Sequence, residues 1–526
     1  MNNGKICVSV CAETASGMIE NIRRAEEFAD VVEVRFDCLA SDQIGNLRSE
    51  ISNLKFEKPL LATFRSPKEG GNGSATFEER MAFWGEDNQA FWACDIEEDI
   101  AGTSRDTTRR IASFHDFSGV PEDIDGIFER LAATEAEIVK IAVTAEDITD
   151  AISVWNLIER ANKIGKQMIP IAMGEAGKWT RILGLAHGAL WTYASLGTGV
   201  ETAPGQVTAK DMRELFRVRD LDQNTKVFGI IGDPVSRSLS PAMLNPVFAS
   251  HNLNAVYLPL MVKDLDQFMR RMVRRETREV ELNFGGFSVT MPHKHSIMKH
   301  LDAIDRVAKK IGAVNTVKID GDRLTGYNTD AHGFISPLKK HFGDLKGSRV
   351  AICGAGGSAR ACVFALRQEG AEVEVLVRDT AKARSFSDEF QVPVVPISNF
   401  KYEISDLRNE VQNQKPKAKN QQPKTNLSEF DIVVDTTPLG MVGPNDNASL
   451  FTADELKGVK FVYDLVTKAR DTPIVAEAKK AGIPAIDGVE MLVAQGAKQF
   501  EIWTGQKAPV DEMKRTVVER IRELQK

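Results

Sequence analysis

No run of apolar residues in this chain approaches the roughly 20 needed to cross a bilayer, so no transmembrane helix is expected. Basic residues are not in excess: 67 Lys and Arg against 74 Asp and Glu leave a net charge of −7, which argues against nucleic acid as the main partner. Cysteine is scarce, with six in 526 residues, at 7, 11, 38, 94, 353 and 362. They mostly lie in apolar segments without metal-ligand or disulfide spacing, so the expectation is reduced thiols, a reducing compartment and no metal centre. The first residues enter a strand pattern without a basic leader or an Arg/Ser-rich transit segment, from which a cytoplasmic setting is expected. What is present, 42% hydrophobic and 27% charged residues, describes a soluble globular chain. It is too long for one core and suggests about three domains.

Eight short apolar runs occupy the first 200 residues: Ile6 to Val10, Val31 to Val34, Leu60 to Phe64, Phe91 to Asp95, Ile111 to Phe114, Ile138 to Val143, Met168 to Met173 and Leu190 to Ser195. Most are separated by amphipathic helical patterns such as Met18 to Phe28, and the alternation reads as a (β/α)8 barrel. Between Asp95 and Arg110 there is little room for a helix, so either that unit is truncated or the count is forced.

Within EIVKIAVT, residues 137 to 144, one lysine sits among apolar neighbours. A lone strand lysine ordinarily snorkels to water. Burial beside Ile138, Val139, Ile141 and Val143 would instead penalise the ammonium form and favour a neutral amine able to attack a ketone. His115, which ends the fifth run, is suited to proton shuttling. Barrel chemistry gathers at the carboxyl ends of strands, and there the polar residues fall: Glu33, Arg35, Arg65, His115 and Lys140, with Arg181 and Gln206 in or near the segments after the last two runs. Singly, each arginine reads as a solvated residue. Together, around a buried lysine and a histidine, they make a pocket for a small polyhydroxylated anion. The loop Glu69-Gly70-Gly71-Asn72-Gly73 could carry Glu69 to His115 and fix its tautomer.

A charged linker, RVRDLDQNTK at 217–226, precedes a fresh strand from Val227 to Ile231. Ser238 and Ser240 stand before a helix starting near Pro241, where serines ordinarily cap but also suit a carboxylate. A strand from Phe287 to Thr290 leads to Lys294, and GAVNTV and GYNTD supply Asn315 and Asp330, a proton-transfer and hydroxyl-binding set. RVAICGAGGSARA then presents a strand, the glycine loop of Gly354, Ala355, Gly356, Gly357, Ser358 and Ala359, and a helix. That is the dinucleotide fingerprint in context, its last glycine replaced by alanine. The next strand ends in Arg378, which suits the 2′-phosphate of NADP, while Asp379 keeps NAD open. From about 401 to 426 the sequence is polar and reads as a mobile surface insertion.

VVEVRFD, TFRSPKEGG, FHDF, VKIAVT and TAPGQ, in this order over residues 5 to 217, resemble the type I 3-dehydroquinate dehydratases. The resemblance implies Lys140 as the imine-forming residue, His115 as general acid/base and Glu69 as its partner. It further implies Arg181, Thr202 and Gln206 at the substrate carboxylate, and Glu33, Arg35 and Arg65 at its hydroxyls. Thr202 departs from the more usual serine. Residues 227 to 505 resemble the shikimate dehydrogenases through SRSLSP, VTMPHK, GAVNTV, NTD, GAGGSARA, TTPLGM and GVEMLVAQGAKQFEIWTG. This implies Ser238, Ser240, Thr290, Asn315, Asp330 and Gln495 around the substrate, Lys294 and Asp330 as the catalytic pair, and Leu465 and Gly488 by the nicotinamide. Thr467 stands where a tyrosine is usual, and Val377 and Asp379 replace residues that commonly flank the cofactor-binding arginine.

The two resemblances together imply a bifunctional shikimate-pathway enzyme that dehydrates 3-dehydroquinate to 3-dehydroshikimate and reduces that to shikimate with NADPH. The implied organisation is a barrel over 1–220, a substrate domain over 221–335 completed by 480–526, and a Rossmann NADP domain over 336–479. Two alternatives stay open: a quinate or broad polyol dehydrogenase as second module, and a non-catalytic metabolite sensor. Small-molecule substrates are expected as ligands, without nucleic acid or membrane, and the sequence does not fix the oligomeric state.

Overall fold

The computed structural model describes residues 4–86, 88–102, 109–381, 383–397, 427–441, 446–468 and 470–524. The polar insertion expected at 401–426 lies outside them. The chain forms two compact units, residues 1–241 with 248–293, and residues 242–247 with 294–526.

In the first unit, β1 (Ile6–Val10), β2 (Val31–Arg35), β3 (Leu60–Thr63), β4 (Ala93–Glu97), β5 (Arg109–Asp116), β6 (Ile138–Thr144), β7 (Gln167–Met173) and β8 (Thr192–Ser195) make one sheet in the order β7-β6-β5-β4-β3-β2-β1-β8. The pairings are parallel, and β8 returns to pair with β1. This is the expected α/β barrel. The fourth strand begins at Ala93, so Phe91 lies before it. Among the described residues its helix is one turn, Glu98–Ala101, so the eight-unit count holds with a truncated fourth unit.

Two-residue periodicity explains where the chemistry lies. Cys7, Val31, Leu61, Ala93, Ile111 and Ile138 belong to one apolar cluster. Two residues further along the same strands, on the same face, stand Ser9, Glu33, Thr63, Asp95, Ser113 and Lys140, all buried. The barrel therefore has an oily floor and a polar layer above it. Outside it, helices bury one stripe each. Ala15–Ala25, capped by Thr14 accepting from the amide of Gly17, buries Met18, Ile22 and Ala25.

The unit continues through β9 (Lys226–Gly232), β10 (Ala255–Met261) and β11 (Phe284–Val289), parallel in the order β10-β9-β11. The charged linker is anchored at its start. Arg219 binds Asp30 and the Gly4 carbonyl, and Arg217 donates to the Ala255 carbonyl. From the barrel, Asp147 Oδ2 accepts the backbone amides of Lys263 and Asp264 at 2.7 and 3.2 Å, at the start of the helical turn Leu265–Phe268.

One expectation is corrected. Cys11 and Cys38 form a disulfide. They are 27 residues apart in sequence, but each follows one of two adjacent strands, β1 and β2, so the barrel brings together what linear spacing hides. The other four cysteines are free and buried.

In the second unit, β12 (Ala303–Ile304), β13 (Thr316–Asp320) and β14 (Arg323–Tyr327) run in the order β13-β14-β12. A parallel sheet of β15 (Arg349–Cys353), β16 (Glu372–Val377), β17 (Val394–Pro396), β18 (Ile432–Asp435), β19 (Phe461–Asp464) and β20 (Ala485–Ile486) follows in the order β17-β16-β15-β18-β19-β20. That order is the doubly wound Rossmann arrangement, reversing between β15 and β18. Among the described residues, no helix is long and apolar enough to cross a membrane.

Candidate active sites

At the carboxyl ends of the barrel strands lies a pocket lined by Glu33, Arg35, Arg65, Glu69, His115, Lys140, Arg181, Thr202 and Gln206, every barrel residue the sequence singled out. The surroundings of Lys140 differ from expectation. Its flanking strand neighbours are apolar, but alternation turns them away, and Nζ meets Asp95 Oδ2 at 2.7 Å and Glu33 Oε1 at 3.6 Å. The lysine is thus ion-paired, with the Tyr193 ring centroid 4.2 Å from Nζ.

Asp95 is the hub of this layer. Its other oxygen accepts from Ser113 Oγ at 2.5 Å and pairs with Arg65 Nη2 at 2.8 Å. Burial opposes its charge, yet Arg65 and then Lys140 hold its carboxyl well below the usual range. His115 is driven the other way: burial, then Arg65 and Lys140, hold its imidazole well below the ordinary histidine value, so it is neutral near pH 7. Glu69 Oε2 lies 3.0 Å from both the backbone N and Nδ1 of His115. Accepting from Nδ1–H leaves Nε2 bare as the basic atom. Burial pushes the Glu69 carboxyl up to about 8 against the pull of Arg65.

Arg181 is 2% exposed, and its Nε and Nη1 have no hydrogen-bond partner among the described residues. Burial lowers its pKa to about 10. A buried guanidinium with two free donors is costly unless an anion completes it. Thr202 and Gln206 hold each other through Gln206 Nε2 to Thr202 Oγ1 at 3.1 Å and Thr202 N to Gln206 Oε1 at 2.9 Å. Arg35 is held by Asp37 through two bonds of 2.8 and 2.7 Å.

In the second unit, Lys294 Nζ donates to Asp330 Oδ2 at 2.6 Å, and Asn315 Nδ2 donates to Asp330 Oδ1 at 2.7 Å. Asn315 is fixed in turn by the Thr329 amide at 2.7 Å. Asp330 begins the helix Asp330–Phe342. Three residues on, a side chain at Gly333 would meet Gln495 Cβ at 2.5 Å, so only glycine allows the helix Gly488–Thr504 this close. Ser238 and Ser240 lie together in the first unit, the amide of Ser240 donating to Ser238 Oγ at 3.2 Å. Thr290 follows β11 there.

The glycine loop follows β15. Gly354 has φ +105°, and a Cβ there would lie 2.7 Å from Thr436 Oγ1, so the turn requires glycine. Gly356 precedes the helix Gly357–Gln368 without a side-chain cap, and nothing lies within 4 Å of a Cβ built on it. Open amides at a helix start with no side chain in the way fit a pyrophosphate. A Cβ on Gly357 would touch Lys294 Cδ at 3.7 Å, so the loop borders the Lys294–Asp330 pair. Arg378 is exposed just past β16, and Gly488 packs against the Leu465 carbonyl, which a Cβ would reach at 2.2 Å.

Three family descriptions match: type I 3-dehydroquinase over residues 6–223, shikimate dehydrogenase substrate binding domain over 230–317, and shikimate 5′-dehydrogenase C-terminal domain over 488–518. A bifunctional 3-dehydroquinate dehydratase/shikimate dehydrogenase of Arabidopsis thaliana, chloroplastic by name, is 33% identical over 97% of this chain and 83% of its own. The chain belongs to the bifunctional 3-dehydroquinate dehydratase/shikimate dehydrogenase family. A shikimate dehydrogenase (NADP(+)) of Methanopyrus kandleri is 37% identical over 57% of this chain and 98% of its own. A solved shikimate 5-dehydrogenase of Thermus thermophilus, in complex with NADP(H) and shikimate, is 32% identical and covers 56% of this chain and 99% of that one, with a TM-score of 0.46.

In this dehydratase/dehydrogenase, sequence reasoning missed Asp37, Asp95 and Glu97. Asp95 and Glu97 sit two apart in an otherwise apolar strand, which was the available signal. Glu97 accepts from the Ser66 amide at 2.8 Å and pairs with Arg80. A further pair missed by sequence is Asp435 and Asp464, register partners at the ends of β18 and β19. Burial and then Asp464 push Asp435 up to about 8, and burial raises Asp464 to about 6.

Proposed function

We propose that the barrel dehydrates 3-dehydroquinate through an imine on Lys140 and that the second module reduces the product, 3-dehydroshikimate, to shikimate with NADPH. The observation that carries this is Lys140 Nζ in a buried polar layer, in one pocket with a neutral histidine and an arginine short of an anion. One proton of the Lys140 ammonium passes to the neutral His115 imidazole, the freed Nζ attacks the ketone carbon, and that proton leaves with the carbonyl oxygen as water, giving a protonated imine. The neighbouring C–H is thereby acidified. His115 Nε2 takes that proton, Glu69 holding the ring, and the β-hydroxyl departs as water by accepting a proton from the same imidazolium. Hydrolysis of the imine returns the lysine. Arg181, Thr202 and Gln206 hold the carboxylate, and Glu33, Arg35 and Arg65 the hydroxyls.

In the second module, Lys294 Nζ gives a proton to the carbonyl oxygen, and Asp330, fixed by Asn315, aligns Lys294 and the hydroxyl. Ser238, Ser240, Thr290 and Gln495 are assigned to the substrate. NADPH, when bound, supplies the hydride. Residues 354–359 would hold its pyrophosphate, Arg378 its 2′-phosphate, and Leu465 and Gly488 border its nicotinamide. The functional segments are 1–220, 221–335 with 480–526, and 336–479, and the setting is the cytoplasm.

Borohydride added during turnover tests the barrel: a reduced ligand adduct at residue 140 is expected in the mass spectrum, and an unmodified lysine would sink the imine route. Lys140→Ala should abolish dehydration and spare reduction, and Lys294→Ala the reverse. Because Thr467 stands where tyrosine is usual, kcat/KM for shikimate against quinate, each with NADP and NAD, decides whether the second module is a shikimate or a broader polyol dehydrogenase.

A further inference from the structure

We propose that the Cys11–Cys38 disulfide is a thiol–disulfide exchange site that controls the dehydratase and not the dehydrogenase. It rests on the assignment of Arg35 and Glu69 to the dehydratase pocket made above. Of the six cysteines this pair alone is half-exposed; Cys7, Cys94, Cys353 and Cys362 are each 0% exposed. A reductant in solution therefore has one target. It is also the pair beside the pocket. Cys11 follows Ser9 by two residues and Cys38 follows Arg35 by three, and both Ser9 and Arg35 line the cavity.

The disulfide touches the loop that carries Glu69. Asn72 Nδ2 donates to Cys38 Sγ at 3.2 Å and lies 3.6 Å from Cys11 Sγ. The Asn72 amide donates to Asp37 Oδ2 at 3.0 Å, and the Arg65 amide to Asp37 Oδ1 at 3.2 Å. Asp37 is the carboxylate that grips Arg35. Asn72 and Asp37 together thus join the sulfur pair to Arg35, to Arg65 and to the stretch from Glu69 to Asn72. That stretch has no slack: a Cβ on Gly71 would lie 2.1 Å from the Arg65 carbonyl, and one on Gly70 would lie 2.3 Å from the Phe117 ring. A displacement of Asn72 is passed on to Glu69 and Asp37.

The exchange balances with a dithiol as reductant. A thiolate of the dithiol attacks one sulfur, the other leaves as a thiolate and is protonated, and the second thiol of the reductant displaces the first cysteine. Two electrons and two protons enter the protein, and the dithiol becomes a disulfide. The loops after β1 and β2 lose their covalent link, and Asn72 loses the bonded pair it rests on. The oxidised form holds the pocket as described; the reduced form loosens Arg35 and Glu69.

The test uses the full chain, oxidised or treated with dithiothreitol, with both activities assayed and exposed thiols alkylated and mapped. Reduction is expected to add alkylation at Cys11 and Cys38 alone, and to lower dehydratase kcat/KM about tenfold, mostly through KM for 3-dehydroquinate. Shikimate oxidation should be unchanged. The Cys11→Ser/Cys38→Ser variant should match the reduced enzyme and ignore dithiothreitol. Six free thiols in the oxidised chain, an unmoved dehydratase after complete reduction, or a double variant that still responds would each overturn the proposal. Arg35→Ala separates the two readings. If it leaves dehydration intact the pocket assignment fails; if it impairs dehydration while reduction has no effect, only the switch fails.

Discussion

Asp95 Oδ2 accepts a hydrogen bond from Lys140 Nζ at 2.7 Å, while its other oxygen pairs with Arg65. The lysine expected to form the imine is therefore held by a carboxylate that also orients an arginine of the same pocket. Asp95→Asn removes that charge and keeps the shape. Dehydratase kcat should fall on the order of 100-fold, with shikimate oxidation intact. A single-turnover measurement of imine formation checks it; an unchanged rate would remove Asp95 from the mechanism.

Arg181 predicts a trade between stability and binding. Arg181→Met exchanges an incompletely paired buried charge for an apolar side chain of comparable length. The ligand-free chain should be as stable as the parent or more so, by up to on the order of 1–3 kcal/mol. KM for 3-dehydroquinate should rise at least tenfold, as expected when a charged hydrogen-bonding partner is lost. A destabilised variant with unchanged KM would show that Arg181 is structural.

His115 should titrate below the ordinary histidine value because burial, Arg65 and Lys140 all disfavour its cation. The sign is fixed: a depressed folded pKa keeps the imidazole neutral to lower pH, and the associated stability is lost as pH falls from the unfolded value through the folded one. Side-chain NMR, assigned with His115→Asn, should show its midpoint well to the acid side of the exposed histidines. A midpoint at or above theirs contradicts the pocket electrostatics.

Barrel architecture and pocket composition were both legible in the sequence, because strand ends in a parallel barrel converge whatever lies between them. Lys140, His115, Glu69 and Arg181 could be placed in one cavity for that reason. What stayed hidden depends on contacts across strands. The Lys140–Asp95 pair spans 45 residues, and the Cys11–Cys38 link joins residues that only β1–β2 pairing makes neighbours. Local hydrophobicity around Lys140 suggested an oily wall, but the alternating pleat points its apolar flanks away from the amine.

Asp435 and Asp464 predict a pH-dependent weakness in the Rossmann sheet. With Asp435 raised to about 8, its stability term is complete below the unfolded carboxylate value and is lost as pH climbs through 8. Asp435→Asn keeps the oxygen that accepts the Thr437 amide at 2.8 Å. The variant should gain a few kcal/mol over the parent at pH 9 and much less at pH 5, read from urea unfolding. Equal gains at both values would show that the pair does not titrate.

Arg378→Ala should raise KM for NADPH about tenfold or more and leave KM for NADH within a factor of about two, since only the former carries the 2′-phosphate. Equal effects on both would assign the guanidinium to another group.

The seam between the two catalytic parts is clasped. Asp147 accepts the amides of Lys263 and Asp264, Arg217 reaches Ala255, and Arg219 ties back to Asp30. A protease that nicks between 217 and 226 would leave the bonds of Asp147 to Lys263 and Asp264 in place across the cut. In the dehydrogenase expressed alone, water takes the place of Asp147 at the exposed amides of Lys263 and Asp264.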